Sequence, residues 1–556
     1  MPSAIHPLVR ELRRTKLADP NIARVAKIFD AAKEAGITPA EARLLGDVFA
    51  DKTADWDAGV RRSWGGRLSR LRTDLKPLVP AKADAAASED LASRVEVVLT
   101  QGFKNPVQRI YVADMIRLAE KYDFKVVLQV SPRAPVGRIL DNLRRRTGLS
   151  TNKLNRRLDI VRADWGFSDW SEDNKFVTNA DDVSRRVRVM VPPQLDDGPF
   201  ADAAAFTELE GYHPLDPDSF QGAVADREEE ITAEKLARRL GRPWRITHGY
   251  IEGGNILPAT SSDGKPYALV GRDTLIISAY HLDSQGAFTK SAVSAQMRRM
   301  RSAGALSPEA VEQTAETLLN VEQYHSSRAP QKVTPRLRAE AEEFLAKLEL
   351  TKKLLAKDLG IPASRVVYVT QPDFHIDMHM RPLGPGEVMV NHPRECIKLI
   401  DEALRDPKIK SWQRKELGQM RERAEIELEE RGPVYDRILG ELEAAGLIAI
   451  TAPGVFQSDM RQANFMNAVP GTSHAGKHFF FTTGSSITSL QAAFGRFVKR
   501  LGVDRVEFVA NEGGNSNNLS AGEQSLEEYG ALDCREVHHG GRSAVKTDAI
   551  DTYLNA

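Results

Sequence analysis

Three side chains in this sequence have the chemistry to attack a guanidinium carbon: a thiol at Cys534, and the imidazole and carboxylate of His375-Ile376-Asp377. The chain has only two cysteines, and Cys534 closes the segment Gly530-Ala531-Leu532-Asp533-Cys534 near the C-terminus. Residues two apart on a strand project from one face, so the spacing predicts that His375 and Asp377 act side by side on a strand. A guanidinium is planar, cationic and always protonated at neutral pH, which makes it a poor electrophile. A catalyst therefore needs carboxylates to hold both edges of the fork and fix the central carbon. It needs a thiolate as nucleophile. It also needs a group titrating near neutrality to protonate departing ammonia and then activate water, which is the range of histidine.

Each candidate has a rival. Cys396 lies in Arg394-Glu395-Cys396-Ile397-Lys398-Leu399, among helical apolar residues, and reads as packing. Cys534 has polar and glycine neighbours instead. A second His-x-Asp triplet occurs at His281-Leu282-Asp283. Context separates the two: Asp377 is followed by Gly384-Pro385-Gly386, a strand-like Glu387 to Val390, and Asn391-His392-Pro393, whereas His281 is followed by polar loop and helix.

These residues need a large scaffold. At 556 residues the chain exceeds one small core. Residues 1–76 read as a small all-α module, with Ile22, Val25, Phe29 and Ala32 at helical spacing and Thr38-Pro39-Ala40-Glu41 as a capping box. Residues 77–90, rich in Pro and Ala, read as a linker. From 91 to 556 the texture is α/β. Strands are expected at Val95–Leu99, Lys125–Val130, Val187–Val191, Trp244–Thr247, Tyr267–Val270 and Asp273–Ser278. A hairpin turn is expected at Ser262-Asp263-Gly264-Lys265. Helical insertions are expected near 289–359 and 395–445, and α/β texture returns at Leu447–Ile450, Lys477–Thr482, Ile487–Leu501 and Arg505–Ala510. The run Arg144-Arg145-Arg146 reads as complementing a helix C-terminus.

From about Val95 to Val537 the chain resembles protein-arginine deiminases, within the pentein superfamily of guanidino-group-modifying enzymes. The matching pieces occur in family order. Tyr111 to Pro132 is similar to the segment that opens the catalytic domain. Trp170-Ser171-Glu172-Asp173 resembles the family's Trp-x-x-Asp, whose aspartate clamps the guanidinium. Glu252-Gly253-Gly254-Asn255-Ile256-Leu257 is similar to a strand entry whose acid supports the histidine. His375-x-Asp377 resembles the general acid/base and second clamp, and Gly530 to Cys534 the nucleophile strand. Pro393 to Leu399 and Asn464-Phe465-Met466-Asn467 resemble further family segments. Asp164 and Asp196 remain alternatives to Asp173 as the first clamp.

The resemblance implies a five-bladed pentein α/β propeller around a central funnel, preceded by the all-α module. It implies catalytic roles for Cys534, His375, Asp377 and Asp173, with Glu252 and Asn255 in support. The implied reaction is conversion of peptidyl-arginine to peptidyl-citrulline with release of ammonia. An amidinotransferase or a deiminase of free arginine or another small guanidino compound is the enzymatic alternative, and a catalytically inactive pentein-scaffold interaction protein is the alternative of another functional class. No cofactor is required for this chemistry. Vertebrate-type relatives use calcium and carry immunoglobulin-like domains, whereas this sequence has a helical module and no Asp-x-Asp-x-Asp-Gly loop; the metal is left unknown.

Lys+Arg and Asp+Glu both total 77, so net charge drives no binding to nucleic acid or membrane. No apolar run approaches the ~20 residues of a membrane span. The expected partner is an arginine-containing protein or peptide, with the helical module available to a protein partner. The expected location is the cytoplasm, with export by a route lacking a cleaved signal peptide left open.

Overall fold

The computed structural model describes residues 89–91, 97–162, 176–178, 188–191, 244–511 and 537–539, apart from a few positions within those ranges, and isolated positions elsewhere. By its internal contacts the chain divides into Met1–Ala83 and Asp84–Ala556. The expected helical module, and all of the expected linker except Glu89 and Asp90, lie outside the described residues.

The second unit is mixed α/β, with small sheets that share one pattern. It begins with β1 (Val97–Gln101), α1 (Pro106–Tyr122) and β2 (Lys125–Val130), then α2 (Val136–Thr147), α3 (Thr151–Arg157) and β3 (Leu158–Arg162). β2 runs parallel to both β1 and β3. The apolar residues of α1 face inward, and Arg144, Arg145 and Arg146 occupy the last turn of α2, where cations oppose the helix dipole. The second sheet holds β4 (Phe176–Thr178), β5 (Arg188–Val191) and β6 (Trp244–Ile246).

The third sheet holds β7 (Ile256–Thr260), β8 (Pro266–Gly271) and, after four helices, β9 (Val366–Val369). The helices are α4 (Arg272–Ser284), α5 (Lys290–Ser302), α6 (Pro308–His325) and α7 (Pro335–Leu359). β10 (Met380–Pro382) and β11 (Glu387–His392) are followed by α8 (Pro393–Leu404), α9 (Ser411–Ala444) and β12 (Ile448–Pro453). The last full sheet holds β13 (Ala468–Thr472), β14 (His478–Thr483) and β15 (Arg505–Val509), with α10 (Thr488–Arg500) between the last two. β16 (Val537–His539) returns to the first sheet.

In every sheet an antiparallel pair is followed by a parallel one: β4-β5-β6, β7-β8-β9, β10-β11-β12 and β13-β14-β15. The first sheet keeps the order as β16-β1-β2, its antiparallel member supplied by the far end of the chain, and adds β3. Hairpins join β7 to β8, β10 to β11 and β13 to β14. Helices cross between the parallel pairs β1–β2, β2–β3, β8–β9, β11–β12 and β14–β15, because parallel neighbours cannot be linked by a tight turn. The two expected insertions are these crossovers enlarged: α4–α7 between β8 and β9, and α8–α9 between β11 and β12. Thr289 is the N-cap of α5, accepting from Ala292 N, and Gly360 ends α7 with φ of 69°.

One expected strand is a helix instead. Asp273–Ser278 lies inside α4 and is not a strand. Every residue from Asp273 to Ala279 is buried, so the segment lacks the amphipathic period that marks a surface helix, and its Thr and Ile content imitates a strand. The Ser262–Lys265 hairpin is present between β7 and β8, with Gly264 at φ of 75°.

Adjacent sheets share apolar cores. Met190 of β5 packs with Ile256, Ala268 and Val366. Leu257, Tyr267 and Val369 pack with Met380, Val388 and Val390. Met389 and Ala452 pack with Ala468 and Phe480. Val469, Phe479 and Phe481 pack with Val126, Leu128 and the apolar face of α1. β16 lies beside β4. No helix among the described residues is long and apolar enough to cross a membrane.

Candidate active site

His375 and Asp377 do not lie on a strand. His375 is extended, at φ −124° and ψ 133°, and leads into a one-turn 3-10 helix, Ile376–Met378, that carries Asp377. His379 N donates to Ile376 O at 3.0 Å to close the turn. Asn391, at the end of β11, holds it from below: its backbone N donates to His379 O at 2.7 Å and its side-chain amide to Met378 O at 3.0 Å. The Asn391-His392-Pro393 context that distinguished this triplet in the sequence is thus in contact with it. Gly454 makes room, since a Cβ there would lie 2.1 Å from Asn391 Oδ1.

Both side chains are almost wholly enclosed, His375 at 2% exposure and Asp377 at 0%. Two other segments reach them. Gly253–Asn255 forms a 3-10 turn at the entry to β7, and the Gly254 α-carbon lies against the His375 ring; a Cβ at Gly254 would be 2.5 Å from His375 Nδ1 and 2.8 Å from its Cγ. Asn467, just ahead of β13, donates from Nδ2 to Asp377 Oδ2 at 2.5 Å. Residues at the starts of β7, β10 and β13 therefore converge.

Asn255 faces away from this contact. Its Oδ1 accepts from Gln371 Nε2 at 3.0 Å, and Gln371 Oε1 accepts from Asp273 N at 2.8 Å at the first turn of α4. Gly271 permits the arrangement, because a Cβ there would lie 2.3 Å from Gln371 Oε1. Asn255 so ties the β7 entry to β9 and α4.

The loop before this entry is held by Asp358, fully buried at the end of α7. Asp358 Oδ2 accepts from His248 N at 2.6 Å and Gly249 N at 3.2 Å; Oδ1 meets His248 Nδ1 and accepts from Arg245 Nη2 at 3.4 Å. Ser278 of α4 donates to Tyr250 O at 3.1 Å. Asp358 carries no sequence signal: it sits in an ordinary charged helix end.

Cys534, Asp173 and Glu252 lie outside the described residues, as do Asp164 and Asp196. In the sequence, Asp173 stands three residues ahead of the first residue of β4, Asp377 three ahead of β10 and Cys534 three ahead of β16.

The rival residues are accounted for. Cys396 is fully buried on α8 among Met389, Leu399 and Ile400, and burial pushes its thiol up to about 12. His281 and Asp283 belong to α4, where residues two apart point in nearly opposite directions, and Asp283 pairs with Lys347 at 2.9 Å. No group of His, Cys, Asp and Glu among the described residues is arranged to hold a metal ion. Comparison with known proteins finds no matching family model and no matching curated protein.

Proposed function

We propose that this chain is a guanidino-group-modifying hydrolase of the pentein type that converts peptidyl-arginine to peptidyl-citrulline. The observation that carries the reading is the convergence of Gly254, His375, Asp377 and Asn467 at the starts of β7, β10 and β13. These are equivalent strands: each is the antiparallel member of its sheet, as are β4 and β16. The shared strand order, the cores between successive sheets and the return of β16 to β1 support five modules closed in a ring. In such a ring the residues ahead of equivalent strands are delivered to one mouth. Asp173, Asp377 and Cys534 share that offset, and Glu252 precedes the Gly253–Asn255 turn.

The chemistry follows from the residue types. Asp173 and Asp377 hold the guanidinium fork, and Asn467 fixes the rotation of the Asp377 carboxylate. The bound cation favours the Cys534 thiolate, which attacks the central carbon. His375 gives a proton to the departing nitrogen, which leaves as ammonia and produces a covalent thiouronium. His375 then takes a proton from water as its oxygen attacks the same carbon. The carbon–sulfur bond breaks, the thiolate is restored and citrulline is released. Glu252 supports the cationic form of His375.

The test is incubation of the full chain with a protein mixture, with free arginine and with agmatine, each with and without calcium, scored for citrulline, ammonia and amidino transfer. Citrulline in protein, lost in Cys534→Ala, is expected. Full citrulline production by Cys534→Ala would remove the assignment, and products from the small molecules alone would move the substrate from protein to free guanidino compounds.

A further inference from the structure

His375 and Asp377 are both carried by residues 370–379, which join β9 to β10. Resting on the function proposed above, we infer that Glu441 of α9 is a positioning residue for that reaction. Through Thr370 it fixes the end of this segment that leads to His375.

The segment is held at both ends. Past Asp377, Asn391 binds the backbone of Met378 and His379. Ahead of His375, two consecutive residues are tied down. Thr370 N donates to Glu441 Oε2 and Thr370 Oγ1 to Glu441 Oε1, each at 2.7 Å. Gln371 bridges Asn255 and the backbone of Asp273. Thr370 is 2% exposed, so the carboxylate serves both its donors where water has little access. Two charge-assisted hydrogen bonds from one carboxylate to one residue fix direction as well as distance.

The course of α9 brings Glu441 to this place. Pro433, which has no N–H to give the preceding turn, divides the helix. Before it, Leu417, Met420 and Ala424 pack in the core that holds Phe465 and Met466. After it, Tyr435, Ile438 and Leu442 pack with Val369 and with Ile376, the residue between His375 and Asp377. Tyr435 Oη also meets His379 Nδ1 at 3.3 Å. The second half of α9 therefore touches the segment at its start, its middle and its end. Glu441 makes the first of these contacts from the rim of the core. Its side chain is 27% exposed and also meets Arg437 at 3.3 Å.

Losing Glu441 would free the first residue of the segment and leave the Gln371 tie. A displacement of about 1 Å in a group that moves a proton is costly to rate, on the order of tenfold or more. Asp377 is held by Asn467 directly and by Asn391 through the turn, so its grip on the guanidinium is kept. The loss therefore falls on kcat and not on KM.

The experiment measures kcat and KM for a short arginine-containing peptide, per folded protein by near-ultraviolet circular dichroism. It uses wild type, Glu441→Ala, Glu441→Gln, Thr370→Val and Glu441→Ala/Thr370→Val. Glu441→Ala is expected to lower kcat roughly tenfold at nearly constant KM. Glu441→Gln keeps an oxygen for Thr370 N and is expected to recover most of that loss. Thr370→Val should lower kcat in the wild-type background and add nothing in the Glu441→Ala background, because the two side chains form one contact. A merely structural role would lower the folded fraction, leave kcat of the folded protein unchanged and overturn the inference. Equal losses in Glu441→Gln and Glu441→Ala would overturn it as well, since charge and not the hydrogen bonds would then be at work. Both results leave the proposed function intact, whereas absence of citrulline from the wild-type chain overturns both. If Glu441→Ala does not fold, Thr370→Val decides: a fall in kcat at constant KM is expected, and an unchanged kcat overturns the inference.

Discussion

A methyl group on Gly254 would occupy the space of the His375 ring, and at 2% exposure the ring has little room to retreat. Gly254→Ala should reduce citrulline formation about a hundredfold, because small misplacements of a reacting group are that costly. It should cost only ~1–3 kcal/mol of stability, as overpacking usually does. Rate and thermal melting measured on the same sample separate the two. Cys396 allows a prediction with a pH sign. Its folded thiol is pushed up to about 12, against roughly 8.5 for a free thiol. The folded chain therefore keeps a proton that the unfolded chain loses. The resulting stability is complete below pH ~8.5 and is lost as pH rises toward 12. Wild type should be more stable than Cys396→Ala at neutral pH, with the difference narrowing on going to pH 11; a gap that widens would refute the sign. The sequence picked out His375 and Asp377 but misjudged how they meet. A period of two is shared by strands and by chance, and only Asn391 and Gly254, distant in the chain, hold the turn in which these residues sit.

At the scale of elements, several strand and helix positions were legible within a few residues. Lys125–Val130 is a strand between the expected ends, and α7 stops at Leu359 as read. Legibility failed at α4, buried on all sides, and at Glu89–Leu91, whose flanking composition is that of a linker while its hydrogen bonds are those of a packed segment. The loop joining β6 to β7 was also silent, since its anchor comes from α7. Asp358→Ala would leave His248 N and Gly249 N without the carboxylate that accepts from them. The expected loss is ~2–4 kcal/mol, the range for breaking a buried charged network. Because the loop leads into Glu252-Gly253-Gly254, kcat should fall in protein that remains folded. Denaturant unfolding and turnover of Asp358→Ala check both halves; normal kcat would mean that the β7 entry is held without this anchor.

At the scale of the whole molecule, the decisive feature is the return of β16 to β1, with Val97 opposite His539 and Leu99 opposite Val537. No local pattern announces this pairing, because it joins the start of the α/β unit to a segment near the other end of the chain. It also completes the first sheet in the order the other sheets follow by themselves. If the modules form a ring, β16 is its fastener, and Cys534, the proposed nucleophile three residues ahead of it in the sequence, should depend on that fastener. A chain ending at Glu536 keeps Cys534 but lacks β16. The β1 amides that point at β16 lose their antiparallel partner and become an exposed edge, so they should exchange hydrogen rapidly, while those directed at β2 stay protected. Phe479–Phe481, stacked in β14 with ring centroids of Phe479 and Phe481 4.2 Å apart and paired on both sides, should stay protected until global unfolding. Citrulline formation should disappear although every proposed site residue remains in the chain. Retained turnover with a deprotected β1 would mean that the nucleophile is positioned without closure. Unchanged protection of β1 would mean that the first sheet does not need its last strand, and the ring would lose its main support.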